Sequence, residues 1–241
     1  MARLKVPSVP HLARLWKPDE VAIKDALIRL TKSAPPFSYA QLLGMVRSML
    51  ALKSDLREME LLIRRGVRGE LAQKCYLEIA PLLSDHFAKI APSFVHEVSA
   101  RVYPLNRHLR VPFEPPMVFG FNGKTYLPLF IFWRTNPLNP DQLSLMASMV
   151  RDLIAQDPDL DLATTSILDF SAPKGAPDRI FRELPLNDIP SISDAKRDEM
   201  LSVFAAGFEL ARKELAGQSE GRNADQDAPS KSDDDQPDLF G

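Results

Sequence analysis

Four histidines, His11, His86, His96 and His108, are the side chains best suited to proton transfer or metal binding near neutral pH, and their spacing favours neither. The interval from His86 to His96 is not a metal-ligand spacing, so all four read as satisfied or exposed histidines. Cys75 is the only cysteine; it follows Lys74 in a helical stretch with no histidine beside it, which makes it a half-buried structural thiol rather than a nucleophile. Asp169, within Ile167-Leu168-Asp169-Phe170-Ser171, stands at the end of an expected strand. Catalytic carboxylates occur at such places, but an Asp there more often caps the following turn. Trp133 and Arg134 could stack on a base or a partner side chain, although a Trp closing an apolar strand is more often core. Gly120, Gly123 and Gly175 form no phosphate-binding loop. Trp133, Arg134 and Asp169 therefore make a possible secondary surface, with no catalytic set, metal site or cofactor expected.

A more specific chemistry stands at the C-terminus, in Gln236-Pro237-Asp238-Leu239-Phe240. Before it run Ser232-Asp233-Asp234-Asp235 and, back to about Gly217, a stretch of Gly, Ser, Asn, Asp, Gln, Ala and Pro. Such a composition buries too little surface to offset its chain entropy, so 217–241 reads as a disordered acidic tail. Two large apolar residues at its tip need something else to bury them. The pattern Gln-x-Asp-Leu-Phe resembles the pentapeptide by which bacterial replication and repair proteins dock on the β sliding clamp. The resemblance covers these five residues. It implies that Leu239 and Phe240 fill an apolar pocket, that Gln236 makes orienting polar contacts, and that Asp238 is an accepted third residue. Pro237 departs from the commoner Leu; it gives up apolar contact while stiffening an extended peptide.

The 241 residues, 45% of them hydrophobic, suffice for one sizeable globular domain or two small ones plus the tail. The formal net charge of −2 is unevenly spread: from Gly217 on there are seven acids and two bases, leaving the body with 28 bases against 25 acids. That slight excess does not by itself support nucleic-acid binding, so DNA is expected to be met only through the clamp. One cysteine permits no intramolecular disulfide, the first residues lack a signal-peptide apolar run, and no segment approaches the ~20 apolar residues of a membrane span. A cytoplasmic protein is expected.

Elements follow from spacing and punctuation. Residues 1–18, rich in Pro and bases with Leu12, Leu15 and Trp16 as anchors, read as an arm on the body. Asp19-Glu20 opens a helix carrying Val21, Ile23, Leu27, Ile28 and Leu30, ended by Pro35-Pro36. Ser38 is expected to cap a second helix and Ser54 a third, the latter with Leu56, Met59, Leu61, Leu62 and Ile63. Helices over 68–90, disturbed at Pro81, and 93–102 complete a mainly helical region, 1–104. An α/β core, 105–216, follows. Asn122-Gly123 between apolar runs predicts a hairpin of strands 116–121 and 124–133. Asn139 with Pro140 predicts a helix to about Gln156, then strands at 164–170 and 179–184, and Ser193-Asp194 starts a last helix to about Lys213. The fold class is α+β: a helical N-terminal half, a hairpin/helix/strand mixed-sheet core, a C-terminal helix and the tail.

The order hairpin, helix, strand, strand over 117–184 is similar to the central unit of PD-(D/E)XK nucleases. That resemblance puts Phe132 where the metal-binding carboxylate belongs, Arg134 where the lysine belongs and Gln142-Leu143 at the next helix. Phenylalanine cannot hold Mg²⁺, so the resemblance implies a degenerate nuclease core. Pro112-Phe113-Glu114-Pro115-Pro116 and Phe132-Trp133-Arg134-Thr135-Asn136-Pro137-Leu138, taken with the tail, resemble clamp-targeting toxins of the SocB type. Membership implies a non-enzymatic replication inhibitor held in check by an antitoxin or a protease adaptor. The same pentapeptide equally fits a clamp-recruited repair or mobile-element nuclease, or an accessory replication factor.

Overall fold

The computed structural model describes residues 4–33, 37–135, 137–173 and 175–226, with side chains through 218. Val9–Leu15 form a short helix, α1, so the expected arm is instead part of the core: Val9, Leu12 and Ala13 are fully buried. Three hydrogen bonds pin its end. Trp16 donates from Nε1 to the Met200 carbonyl (3.0 Å), and Gln142 Nε2 donates to the carbonyls of Arg14 and Trp16 (3.0 and 3.2 Å). Helix α2 (Glu20–Lys32) starts where Asp19 accepts from the Val21 and Ala22 N–H groups. The N-cap residue of helix α3 (Ala40–Leu52) is Tyr39 and not the expected Ser38, although Ser38 Oγ accepts from Ala40 N–H, and Lys53, in the left-handed region at φ 55°, closes the helix.

Helix α4 (Leu56–Gly66) departs from expectation twice. Its cap is Asp55, which accepts from Glu58 N–H at 2.9 Å, and not Ser54. The Ser54 N–H is already committed to Met49 O in the turn that ends α3. Its apolar face is also narrower: Met59 and Ile63 are buried, but Leu61 and Leu62 are 46% and 50% exposed. Helix α5 (Glu70–Phe87) runs on through Pro81.

Residues 93–102 are not helical. Phe94–His96 form strand β1 and Arg101–Pro104 form β2, which pairs antiparallel with β3 (Arg110–Phe113) in a separate two-stranded ribbon. Pro92 forbids an upstream helical hydrogen bond, and Val95, Val98 and Val102 favour extended backbone; pairing with neighbours then decides. Strand β4 (Val118–Phe121) and β5 (Lys124–Ile131) make the predicted hairpin, with Asn122 and Gly123 at φ 49° and 73°. Helix α6 (Pro140–Ala155) carries a complete capping box between Asn139 and Gln142. It returns the chain to β6 (Thr164–Asp169), parallel to β5, and β7 (Arg182–Pro185) then pairs antiparallel with β6. The sheet order is β1-β4-β5-β6-β7. The last helix, α7 (Asp194–Gln226), passes the expected end at Lys213 and continues through the first ten residues of the expected tail. A helix already nucleated by packing propagates through polar residues at little cost, which a count of apolar residues does not register.

Alternation along the strands sends Leu127, Leu129, Ile131 and Ile167 to one face of this mixed sheet and Phe130, Leu168 and Phe170 to the other. The first face is covered by α1, α2, α6, α7 and the β2–β3 ribbon; the second by α3, α4 and α5. The architecture is α+β, and each core draws residues from both sides of position 104. Helix α7 packs tightly on α2 at Gly207, where an added Cβ would stand 2.7 Å from the Glu20 carbonyl oxygen and from Ile23 Cβ. Backbone cannot yield as a flexible side chain can. Gly207→Val is therefore expected to destabilise the fold by about 1–3 kcal/mol in a thermal or denaturant melt, while the same change at Gly44, with nothing near it, costs under about 1 kcal/mol.

Candidate functional site

The pentapeptide Gln236, Pro237, Asp238, Leu239 and Phe240 lies outside the described residues. What the structure does assemble is a charged cluster at the C-terminal ends of the parallel pair β5 and β6, the end at which open α/β sheets present ligand sites. Arg179, just before β7, is its centre, with its side chain 2% exposed. It donates from Nη1 to the carbonyls of Phe132 (2.8 Å) and Phe170 (3.0 Å), the residues that follow β5 and β6, and so ties the two strand ends together. Its Nε reaches Glu78 of α5 at 3.1 Å and its Nη2 the Tyr39 hydroxyl at 3.3 Å.

Glu78 also accepts from Arg134, whose other amino group donates to Pro177 O at 2.8 Å. Burial pushes the Glu78 carboxyl upward, but the bonds and charges of Arg134 and Arg179 outweigh it and hold the group below the usual carboxylate range. The same pairing raises Arg134, and burial raises the Tyr39 hydroxyl. Register explains the neighbouring pair: Asp169 and Arg182 stand opposite each other in β6 and β7, and the Asp169 carboxylate accepts from Arg182 and from the Ser171 N–H (2.8 Å). Asp169 thus has the turn-capping role, and it is 3% exposed.

Trp133 and Arg134 leave β5 in different directions. Trp133 packs on the first core with the Arg14 guanidinium 4.6 Å from its ring centroid, so one indole face already holds a cation. Phe132, at the place where the nuclease resemblance puts a carboxylate, is buried 5.2–5.4 Å from the rings of Tyr39, Phe130 and Phe170. Among the described residues no three His, Cys, Asp or Glu side chains are grouped to hold a metal ion. Cys75 is buried, as a structural thiol should be. Two shallow clefts, of about 200 and 330 Å³, flank the β2–β3 ribbon and do not touch the cluster.

The three candidates Trp133, Arg134 and Asp169 are thus brought to one end of the sheet, and Glu78, Arg179, Arg182 and Tyr39 join them. These four were not legible in the sequence: Arg179 and Arg182 look like the solvent side of a strand, and Glu78 like the polar face of a helix. Chemically, the cluster is a set of charges mostly paired with one another that ties the strand ends together, with the buried Nε of Arg182 left without a hydrogen-bond partner among the described residues.

His86, on α5 near this end, lies between the rings of Phe87 and Phe181 and 4.0 Å from Glu183. Burial lowers its pKa below 6.5, and the Glu183 charge only partly restores it. The neutral form therefore suits the fold, and below pH 6.5 the unfolded chain takes up a proton that the folded chain refuses. Stability should fall as the pH drops from 6.5 towards the lowered folded value. His86→Gln is expected to flatten that part of a stability-against-pH curve measured by denaturant melts.

No protein-family model matches this chain, and no curated protein sequence matches it. Among the described residues no helix is long and apolar enough to cross a membrane.

Proposed function

We propose that this protein docks on the bacterial β sliding clamp through Gln236-Pro237-Asp238-Leu239-Phe240 and inhibits replication by occupying the pocket that polymerases and repair factors share. The observation that carries the reading is the Leu239–Phe240 pair, two large apolar side chains at the tip of an acidic, polar stretch, in register with Gln236. Two features of the body support it. Helix α7 continues for 15 residues beyond Ala211, the last fully buried residue among its described side chains, or about 22 Å along its axis, so the chain leaves the body from the end of a long helix. The charges at the sheet end are engaged with one another, which suits a protein that acts by occupancy.

Such a protein is cytoplasmic, needs no cofactor, meets DNA only through the clamp, and requires restraint by an antitoxin or a protease adaptor. Calorimetric titration of a bacterial β clamp with the full chain tests the docking; a wild-type chain that does not bind overturns it. Induced expression in a bacterial host tests the inhibition. Growth should arrest with the wild-type chain and continue with Leu239→Ala/Phe240→Ala, and arrest that survives the double substitution would sink the clamp mechanism.

A clamp-recruited nuclease is the second reading, favoured by one observation: the antiparallel β4–β5 hairpin followed through α6 by parallel β6 reproduces the strand arrangement of that core. Phe132 weighs against it. Absence of DNA cleavage by the purified chain with Mg²⁺ or Mn²⁺ would retire it.

A further inference from the structure

The face that α4 turns to solvent combines exposed leucines with unpaired arginines. On a helix, positions three and four apart are neighbours, so Leu61 is bordered by Arg57, Glu58, Arg64 and Arg65, and Leu62 by Glu58 and Arg65. All of these are exposed, as is Arg68 just past the helix, and Glu60 edges the face. Elsewhere the body's arginines are commonly in ion pairs: Arg47, Arg101, Arg134, Arg179, Arg182 and Arg197 each have a carboxylate partner. Arg57, Arg64, Arg65 and Arg68 have none among the described residues.

A nucleic-acid backbone would use these guanidinium groups and leave the two leucines in water. An acidic peptide with large apolar residues would use both. The chain itself holds one segment of that chemistry: Asp233-Asp234-Asp235, then Asp238-Leu239-Phe240. The docked part itself begins at Ser232, six residues past the end of α7 at Gln226, so the connecting chain spans about 20–22 Å when extended.

We propose that the acidic C-terminal segment 232–240 docks on the outward face of α4, with its aspartates against Arg57, Arg64 and Arg65 and its Leu239–Phe240 pair against Leu61 and Leu62. The consequence rests on the clamp-docking reading: one Leu–Phe pair cannot be buried on α4 and in the clamp at once, so the body withholds its own docking peptide. The affinity of the full chain for the clamp is then lowered by the fraction of tails that are free.

The test uses the full chain carrying Leu239→Ala/Phe240→Ala, whose own tail lacks the apolar pair, and a fluorescent synthetic peptide of residues 228–241 as the probe, read by anisotropy without any clamp. The peptide should bind at one site, more weakly as salt rises. Binding should weaken at least tenfold with Leu61→Ser/Leu62→Ser, and at least fivefold with Arg57→Gln/Arg64→Gln/Arg65→Gln. All five positions are exposed, so the variants should retain the wild-type circular dichroism and melting temperature. No peptide binding, or binding indifferent to both sets of substitutions, overturns the proposal. So does a chain whose α4 variants lose only self-association in sedimentation, or only binding to duplex DNA, because the face then serves a second copy or a nucleic acid. The clamp reading is checked apart from this by titrating the same peptide against the clamp, so either contact can fail while the other stands.

Discussion

A chain carrying Leu239→Ala and Phe240→Ala is expected to lose two orders of magnitude or more in affinity for the β clamp. Burying one Leu and one Phe side chain contributes about 3–6 kcal/mol between them, and each 1.4 kcal/mol is tenfold in Kd. The rest of the pentapeptide cannot compensate. On the docking proposed, Gln236 would contribute a polar contact that exchanges with water, and Pro237 would supply stiffness with little area. Single substitutions should therefore rank unequally, with either apolar truncation costing more than Gln236→Ala. Replacing Pro237 by Leu, which restores the commoner form, should tighten binding. A calorimetric series across these variants checks the order, and a double variant that binds like the wild type would place the contact elsewhere on the chain.

The largest effect expected within the body is at Arg179. Its side chain is almost fully buried and bonds the carbonyls of Phe132 and Phe170, the Glu78 carboxylate and the Tyr39 hydroxyl. Arg179→Met keeps most of the volume and removes every one of those donors. Two buried carbonyls at the ends of β5 and β6 lose their partner, and Glu78 is left to Arg134 alone. Breaking a buried, hydrogen-bonded charge in this way costs about 3–5 kcal/mol, or about 10 °C or more in melting temperature for a chain of this size. Lysine should not rescue it, because one ammonium cannot reach both strand ends and the carboxylate in the planar geometry that the guanidinium offers. Arg134→Met is the control. That side chain is 43% exposed, and solvent screening keeps the loss of its ion pair within about 1 kcal/mol. Equal losses at the two positions would refute the assignment of Arg179 as the tie between the strands.

Some of this molecule is written in short stretches. Asn139, Pro140 and Gln142 start α6 with a capping box closed within four residues, Asn122-Gly123 turns the hairpin, and Asp19 starts α2; each depends on bonds within three residues, so the sequence carries them whole. The same holds for Gln236-Pro237-Asp238-Leu239-Phe240, a motif readable without any fold. The candidates at the sheet end were legible only in part. Arg134 and Asp169 stand at strand ends, but nothing local couples either to Glu78 or Arg182.

Everything that depends on a distant partner was decided in three dimensions. Phe94–His96 and Arg101–Pro104 became strands because the β4 edge and the β3 strand were there to pair with them. Leu61 and Leu62, in a run of apolar residues, turned outward because Met59 and Ile63 already fill the space beneath the helix. Arg179 meets Glu78 across 101 positions of chain. The helix starts at Asp19 and Asn139 and the hairpin turn at Asn122-Gly123 are set by hydrogen bonds and backbone preferences within a few residues, which sequence alone determines. Strand pairing, the outward face of α4 and the buried charges at the sheet end follow from which surfaces meet after the chain has closed on itself, and only the tertiary structure fixes that.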